Sequence, residues 1–126
     1  MRKLFILTIF ISSLMISSMA HAEWTRVSAN PNGDVLYVDF SGIKYRNGNI
    51  IFWELISRSQ FDSAVTQVEG DCRGFRYNPL LMIFYSEPMA IGGPASVINK
   101  SQGWYTVPSN SAQASVLKAV CSYRHQ

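Results

Sequence analysis

Two cysteines, Cys72 and Cys121, constrain the fold of this chain more than any other feature. In an oxidising compartment, two cysteines in a small domain form one disulfide. Closing a loop of about 50 residues would stabilise the domain by about 4 kcal/mol in the chain-entropy model. A redox-active role would require a C-x-x-C pair or a lone activated thiol, and the sequence has neither. We therefore predict a structural disulfide.

The N-terminus indicates that the chain reaches an oxidising compartment. Arg2 and Lys3 precede an apolar stretch at residues 4–19, and Ala-His-Ala at residues 20–22 matches an A-x-A cleavage site. Serines interrupt the apolar stretch, whereas a membrane span needs about 20 strongly apolar residues. We predict a cleaved signal peptide at residues 1–22 and no transmembrane anchor after signal cleavage. No cysteine near the cleavage site could accept a lipid, so we expect a periplasmic or secreted protein.

Residues 23–126 are expected to form a single domain, because their number suits one hydrophobic core. The whole chain has 11 Lys and Arg against 8 Asp and Glu. Arg2 and Lys3 leave with the signal peptide, so the remaining charge is nearly balanced. With no long basic run or basic-aromatic repeat, the composition argues against nucleic acid as a partner.

The segment after the signal peptide has the pattern of an antiparallel sheet. Turn signals are Asn30 to Asp34, the Asn-Gly step at residues 47–48, and Pro79. Runs of β-branched and aromatic residues between them predict strands near residues 24–28, 35–40, 43–46, 50–58, 64–77 and 80–85. Residues 87–103 contain three glycines and two prolines, and they read as a long loop or a pair of loosely formed edges.

The C-terminal segment predicts one helix. Ser109 or Asn110 would cap it, and Gln113 would complete a capping box. An apolar stripe would lie on the sheet: Ala112, Val116, Ala119 and Val120. We predict an α+β fold, an antiparallel β-sheet of five to six strands with one C-terminal helix pinned to it by the disulfide. One short helix cannot cover so wide a sheet, so the long loop, sheet curvature or a second copy in a homodimer must bury the rest.

Residue types that carry catalysis are scarce. His125 is the single histidine after residue 22 and lies next to the last residue, and the carboxylates form no calcium-binding loop. We therefore expect no enzyme, no metal and no cofactor. A mixed basic and aromatic segment is the best binding candidate, with Arg73, Arg76 and Tyr77 as its residues. The competing interpretation is a solvent-facing edge whose charges block aggregation. Trp104 and Tyr105 are more typical of a core than of a ligand platform.

The order of these features resembles the surface-adhesin protein E family of small bacterial exported proteins. The matching elements are the strand at residues 35–40 with Asp39, Trp53, the segment at residues 72–76, Gly-Trp-Tyr at residues 103–105, and a final helix ending at Cys121. The resemblance implies an antiparallel sheet with a C-terminal helix fastened by a disulfide, and a dimer. In the namesake it implies adhesion to host extracellular-matrix and serum proteins such as laminin, vitronectin and plasminogen.

Two hypotheses for function follow. The first is an exported, non-enzymatic binding protein of the adhesin E type that contacts host or envelope proteins through the sheet or its loops. The alternative is a periplasmic inhibitor or stress-related accessory protein that inserts a loop, such as residues 87–103, into an enzyme. A small hydrolase would require a clustered base, which the sequence does not offer.

Overall fold

The computed structural model describes residues 22–58 and 61–123. The predicted signal peptide, apart from Ala22, lies outside the described residues, and so does His125. No helix among the described residues is long and apolar enough to cross a membrane.

The described residues form one antiparallel sheet and one α-helix, as predicted. Strands β1 to β6 follow one another as neighbours in chain order, and the two-residue β7 pairs with the start of β5 while β6 pairs with its end. The elements are β1 Thr25–Ala29, β2 Val35–Arg46, β3 Asn49–Ser57, β4 Ser63–Asp71, β5 Arg76–Tyr85, a 3₁₀ turn at Pro88–Ala90, β6 Pro94–Ile98, β7 Tyr105–Thr106 and helix α1 Ala112–Ser122.

A bulge joins two segments that the sequence predicted as separate strands. Asp39 pairs with Trp53 and Lys44 with Ile51, so residues 40–43 lie opposite a single residue of β3. A bulge of this kind bends and twists a strand without ending it. Ile43 lies within it and is buried in the core.

The turn between β4 and β5 lies at residues 72–75, so the predicted turn at Pro79 is wrong. Pro79 is inside β5, opposite Val68, where the register between the two strands shifts. Proline lacks the N–H group that a regular ladder requires, and a bulge tolerates that loss. The prediction of a single strand over residues 64–77 is therefore also wrong. These residues form most of β4, the turn and the first residues of β5.

Helix α1 begins one residue after Ser111, whose side-chain oxygen accepts a hydrogen bond from Ala114 N at 3.1 Å. The predicted caps, Ser109 and Asn110, are therefore wrong. Ser28 of β1 donates a hydrogen bond to Ala112 O at 2.9 Å and fixes the start of the helix on the sheet. At the other end, the predicted disulfide joins Cys121 to Cys72 in the β4–β5 turn.

Helix α1 packs on one side of the sheet, which we call the helix face. Its core residues are buried side chains from four strands and the helix: Leu36, Val38, Ile50, Phe52, Val68, Tyr77, Val116, Leu117 and Val120. A Cβ atom at Gly70 would lie 2.9 Å from Leu117 Cδ1. The missing side chain at Gly70 therefore lets the helix approach β4 closely.

The opposite side, which we call the second face, is also largely apolar. The strand register aligns one row across five strands: Tyr37, Leu55, Val65, Ile83 and Val97. The 3₁₀ turn packs against β3, β4 and β5 and is held by two serines, since Ser57 Oγ accepts from Met89 N at 3.0 Å and Ser63 Oγ accepts from Ala90 N at 2.8 Å. Leu55 is fully buried, whereas Val97 is 54% exposed. The second face is therefore buried at its centre and exposed at the β6 edge.

Candidate binding surface at the β4–β5 turn

Asp71 organises the turn that carries the predicted binding residues. Its Oδ1 accepts hydrogen bonds from Arg73 N at 3.1 Å and from Gly74 N at 3.0 Å. A Cβ atom at Gly74 would lie 2.6 Å from Asp71 Oδ2, so only glycine leaves room for the carboxylate. Phe75 then takes a positive φ of 54° to return the chain into β5. The Asp71 carboxylate thus accepts hydrogen bonds from two backbone N–H groups of the turn and keeps the turn compact.

Arg76 connects this turn to β7. Its guanidinium donates to Asp71 Oδ2 from Nε at 3.0 Å and from Nη2 at 2.9 Å, and it stacks on the ring of Trp104 at 4.8 Å from the centroid. The hydrogen bond from Gly74 N, together with Arg76, lowers the pKa of Asp71. Asp71 therefore stays ionised at neutral pH, and it fixes a guanidinium against an aromatic ring.

Arg73 projects from the same turn and is exposed. Within residues 22–58 and 61–123, its side chain forms no ion pair or hydrogen bond. The neighbouring Cys72 bonds to the end of α1, so the backbone that carries Arg73 is anchored on two sides. We call Arg73, Arg76 and Trp104 the turn surface.

Tyr77, the third predicted binding residue, lies in the core with 1% of its surface exposed. Its hydroxyl donates a hydrogen bond to Glu54 Oε1 at 2.9 Å across the helix face. Burial raises the pKa of Glu54 to about 7, against the lowering effect of the hydrogen bond from Tyr77. Burial, and then the charge of Glu54, raises the pKa of Tyr77 well above its usual value. The structure thus separates Tyr77 from Arg73 and Arg76.

Trp104 is the member of the turn surface that sequence reasoning placed elsewhere. The pattern favoured a core position for Trp104 and Tyr105, yet they are 38% and 44% exposed. Strand β7 has only two residues and lies at a sheet edge, where its side chains are covered from one side only. A strand this short has no hydrophobic periodicity from which its exposure could be predicted. Trp104 follows directly after Gly103, which has a φ of +94°, and this turn chemistry was the available signal.

The turn surface offers charge and aromatic contact, and it contains no nucleophile paired with a base. Nowhere in the described part of the chain do three His, Cys, Asp or Glu side chains form a group suited to a metal ion. Arginine and tryptophan on a rigid support are the residue types that dominate protein–protein contacts. The arrangement can therefore bind a protein surface.

The fold and this surface define a class, small α+β proteins in which one disulfide staples a C-terminal helix to an antiparallel meander. Within that class the chain belongs to the surface-adhesin protein E family, whose family model matches residues 24–122. Neither the comparison with curated proteins nor the comparison with solved structures yields a match. The family suggests a non-enzymatic, protein-binding role, and the disulfide fits an exported protein.

Proposed function

We propose that this protein is an exported, non-enzymatic binding protein that contacts host or envelope proteins through the turn surface. The observation that carries the proposal is the guanidinium of Arg76, held by Asp71 against Trp104 beside the exposed Arg73. Family membership supports the general role of protein binding. The signal peptide predicted for residues 1–22 supports export, to the periplasm or beyond the cell.

Preorganisation is the physical reason to favour this surface. An exposed arginine normally loses side-chain entropy when it binds, by about 0.5–1.5 kcal/mol for each immobilised side chain. Arg76 is already held by two hydrogen bonds and a ring contact, so much of that cost falls on folding instead. Arg73 supplies a charge that is not paired with another described side chain. A partner with an acidic patch beside an apolar contact would match both groups.

The test is binding of residues 23–126 to laminin, vitronectin, plasminogen and purified envelope proteins, measured by biolayer interferometry. Trp104→Ala and Arg73→Ala should each weaken binding by about 30-fold, the scale of an interface hot spot of about 2 kcal/mol. Phe61→Ala is the matched control, because Phe61 is also exposed and also lies against an arginine, Arg58, outside the turn surface. Unchanged affinity of both test variants would refute the turn surface, and no binding to any of these proteins would refute the function.

The predicted alternative is a periplasmic inhibitor or accessory protein, which would remain in the periplasm and not reach the cell surface. Every residue from 91 to 106 is exposed, which is the observation that favours a loop-inserting inhibitor. Protease added to intact cells separates the two proposals, because an adhesin is degraded and a periplasmic protein is protected. Osmotic release of the periplasm before proteolysis supplies the control.

We also propose a homodimer that buries the open part of the second face. Val97 is 54% exposed there, opposite the partly buried Ile83, and Ile91, which follows the 3₁₀ turn directly, is 58% exposed. Patches of exposed apolar residues of this kind are typical of interaction sites. Light scattering after size exclusion should give twice the monomer mass, and Ile91→Lys should return the protein to a monomer. A monomer at high concentration would contradict the dimer.

A further inference from the structure

The sequence contains two Asn-Gly steps, at residues 32–33 and 47–48, and each lies in a turn between two strands. The side-chain amide of an asparagine can be attacked by the backbone nitrogen of the next residue. Glycine favours this attack, because it has no Cβ to shield the nitrogen and leaves the backbone free to rotate. Asn32 and Asn47 are both exposed, so solvent reaches both side chains. Sequence and exposure therefore do not distinguish the two steps, whereas their hydrogen bonds do.

Hydrogen bonds hold both groups that would have to react at Asn32. Its Oδ1 accepts a hydrogen bond from Asp34 N at 3.1 Å, and its Nδ2 donates to Asp34 Oδ2 at 3.2 Å. The attacking atom, Gly33 N, donates to Asn30 O at 3.0 Å, and Asn30 N donates to Asp34 O at 2.8 Å across the same turn. The side-chain amide and the attacking nitrogen of this step are therefore both engaged, in a turn whose backbone is fixed.

Asn47 lacks these restraints. Within residues 22–58 and 61–123, the Asn47 side chain forms no hydrogen bond, and Gly48 N donates none. The turn is closed by the pairing of Arg46 with Asn49, the last pair of the hairpin, and hairpin ends open at a low cost in free energy. Asn47 also has a φ of 52°, a left-handed conformation that is unfavourable for residues with a Cβ, so rotation out of the turn relieves strain.

We propose that Asn47 is a site of spontaneous deamidation in the folded protein, whereas the fold protects Asn32. Gly48 N attacks Asn47 Cγ and forms a C–N bond, and the side-chain nitrogen leaves as ammonia with the proton of Gly48 N. Water then adds to either carbonyl of the resulting succinimide ring and breaks one of its two C–N bonds. The products are aspartate and isoaspartate at residue 47, each with a negative charge that asparagine lacks. The reaction requires no partner protein and is therefore independent of the proposed function.

The new carboxylate lies beside hydrogen bonds that connect this hairpin to β4. Arg46 Nη2 donates to Glu69 Oε1 at 2.8 Å, and Asn49 Nδ2 donates to Glu69 Oε2 at 3.0 Å. A negative charge between Arg46 and Asn49 in sequence competes with Glu69 for the guanidinium. Isoaspartate also adds a methylene group to the backbone, which a two-residue turn between paired strands does not accommodate. Modification of Asn47 therefore loosens the end of the β2–β3 hairpin.

The test incubates the folded protein at pH 8 and compares the two asparagines within the same molecule. Digestion with pepsin at acidic pH stops the reaction, and mass spectrometry of the peptides measures the conversion of each amide to a carboxylate. Asn47 should react at least tenfold faster than Asn32, since breaking even two hydrogen bonds of about 1 kcal/mol each corresponds to more than tenfold. The reduced chain unfolded in guanidinium is the control, because both Asn-Gly steps should react there at similar rates.

Two variants at Asp34 test whether hydrogen bonds protect Asn32. Asp34→Ala removes the acceptor for Asn32 Nδ2 and should raise the rate at Asn32 by about fivefold, the effect of one hydrogen bond, without changing the rate at Asn47. Asp34→Asn is the matched control, because it loses the charge but keeps an acceptor oxygen, and it should leave Asn32 protected.

Four outcomes overturn the proposal. The first is an Asn47 that stays intact in the folded protein while the unfolded chain loses the amide. The second is equal rates at Asn47 and Asn32 in the folded protein, and the third is an equally large difference between them in the unfolded chain. The fourth is an unchanged rate at Asn32 in Asp34→Ala, which would show that the hydrogen bonds do not protect it.

Discussion

The part of the sheet under helix α1 and the segment at residues 91–106 differ in how much of their surface is buried. Under helix α1, Leu36, Phe52 and Val68 have no exposed surface, and a disulfide closes the layer. No residue from 91 to 106 is buried, and among the described residues the strands in this segment pair on one side only. The buried contacts that stabilise the fold are thus concentrated under the helix, whereas residues 91–106 contribute little to the core. Changes under the helix should therefore lower the free energy of unfolding strongly, and changes within residues 91–106 should lower it little.

The largest expected effect comes from removing the disulfide, which fastens the helix to the stable end. The cysteines are 49 residues apart, and opening such a loop costs about 4 kcal/mol in the chain-entropy model. Cys72→Ser combined with Cys121→Ala should lower the free energy of unfolding in urea by about that amount. Wild-type protein in reductant is the control, because it loses the bond without changing either side chain. A loss below about 1 kcal/mol would show that packing alone holds the helix.

Glu54, which lies on the helix face, should make the free energy of unfolding depend on pH. Its folded-state pKa is about 7 and its reference value is 4.5, so the folded protein keeps a proton that the unfolded chain releases. The stabilisation that comes from this proton is therefore fully present below pH 4.5, is lost as the pH rises, and its loss lowers the free energy of unfolding by about 3 kcal/mol above pH 7. Urea titrations from pH 4 to 8 measure this slope.

The variant Glu54→Gln isolates the carboxyl group from its surroundings. Its amide oxygen can still accept the hydrogen bond from Tyr77, but it does not titrate. The variant should lose this part of the pH slope and should be the more stable protein at pH 8. Asp71 provides an internal contrast, because its pKa is lowered and its contribution disappears only as the pH falls through that lowered value. An unchanged slope in the variant would contradict the assignment to Glu54.

A smaller effect is expected at the start of the helix. Ser111→Ala removes the acceptor for Ala114 N and should lower the free energy of unfolding by about 1 kcal/mol. Ser115→Ala is the control, since Ser115 is exposed within the helix and alanine is a better helix former. Equal stabilities of the two variants in urea unfolding would show that the cap at Ser111 contributes nothing.

The helix cap also shows where sequence reasoning succeeded and where it could not. The helix and its disulfide follow from apolar spacing and from two cysteines in an exported chain. The capping residue does not, because Ser109, Asn110 and Ser111 have similar capping chemistry. Ser28, distant in sequence, donates to the carbonyl of the next residue, Ala112, and so favours Ser111 through a tertiary contact.

The candidate site was predictable to a similar degree. Arg73 and Arg76 do lie at the surface, but alternation along β5 turns the next residue, Tyr77, into the core. Its partner Glu54 is two strands away, and only the complete register brings the two together. The stacking of Trp104 on Arg76 likewise depends on β7 returning to the start of β5 after the long excursion through β6.

The smallest stability effect should come from the exposed end. Val97 is 54% exposed on an edge strand, so Val97→Thr removes little buried surface and keeps a β-branched side chain. The free energy of unfolding should change by less than about 0.5 kcal/mol. Val65→Thr is the matched control, because Val65 lies in the same cross-strand row but is 9% exposed and would bury a hydroxyl, at about 1–3 kcal/mol. If both substitutions destabilised the protein equally, the edge would belong to the cooperative core, and the contrast between the two regions would not hold.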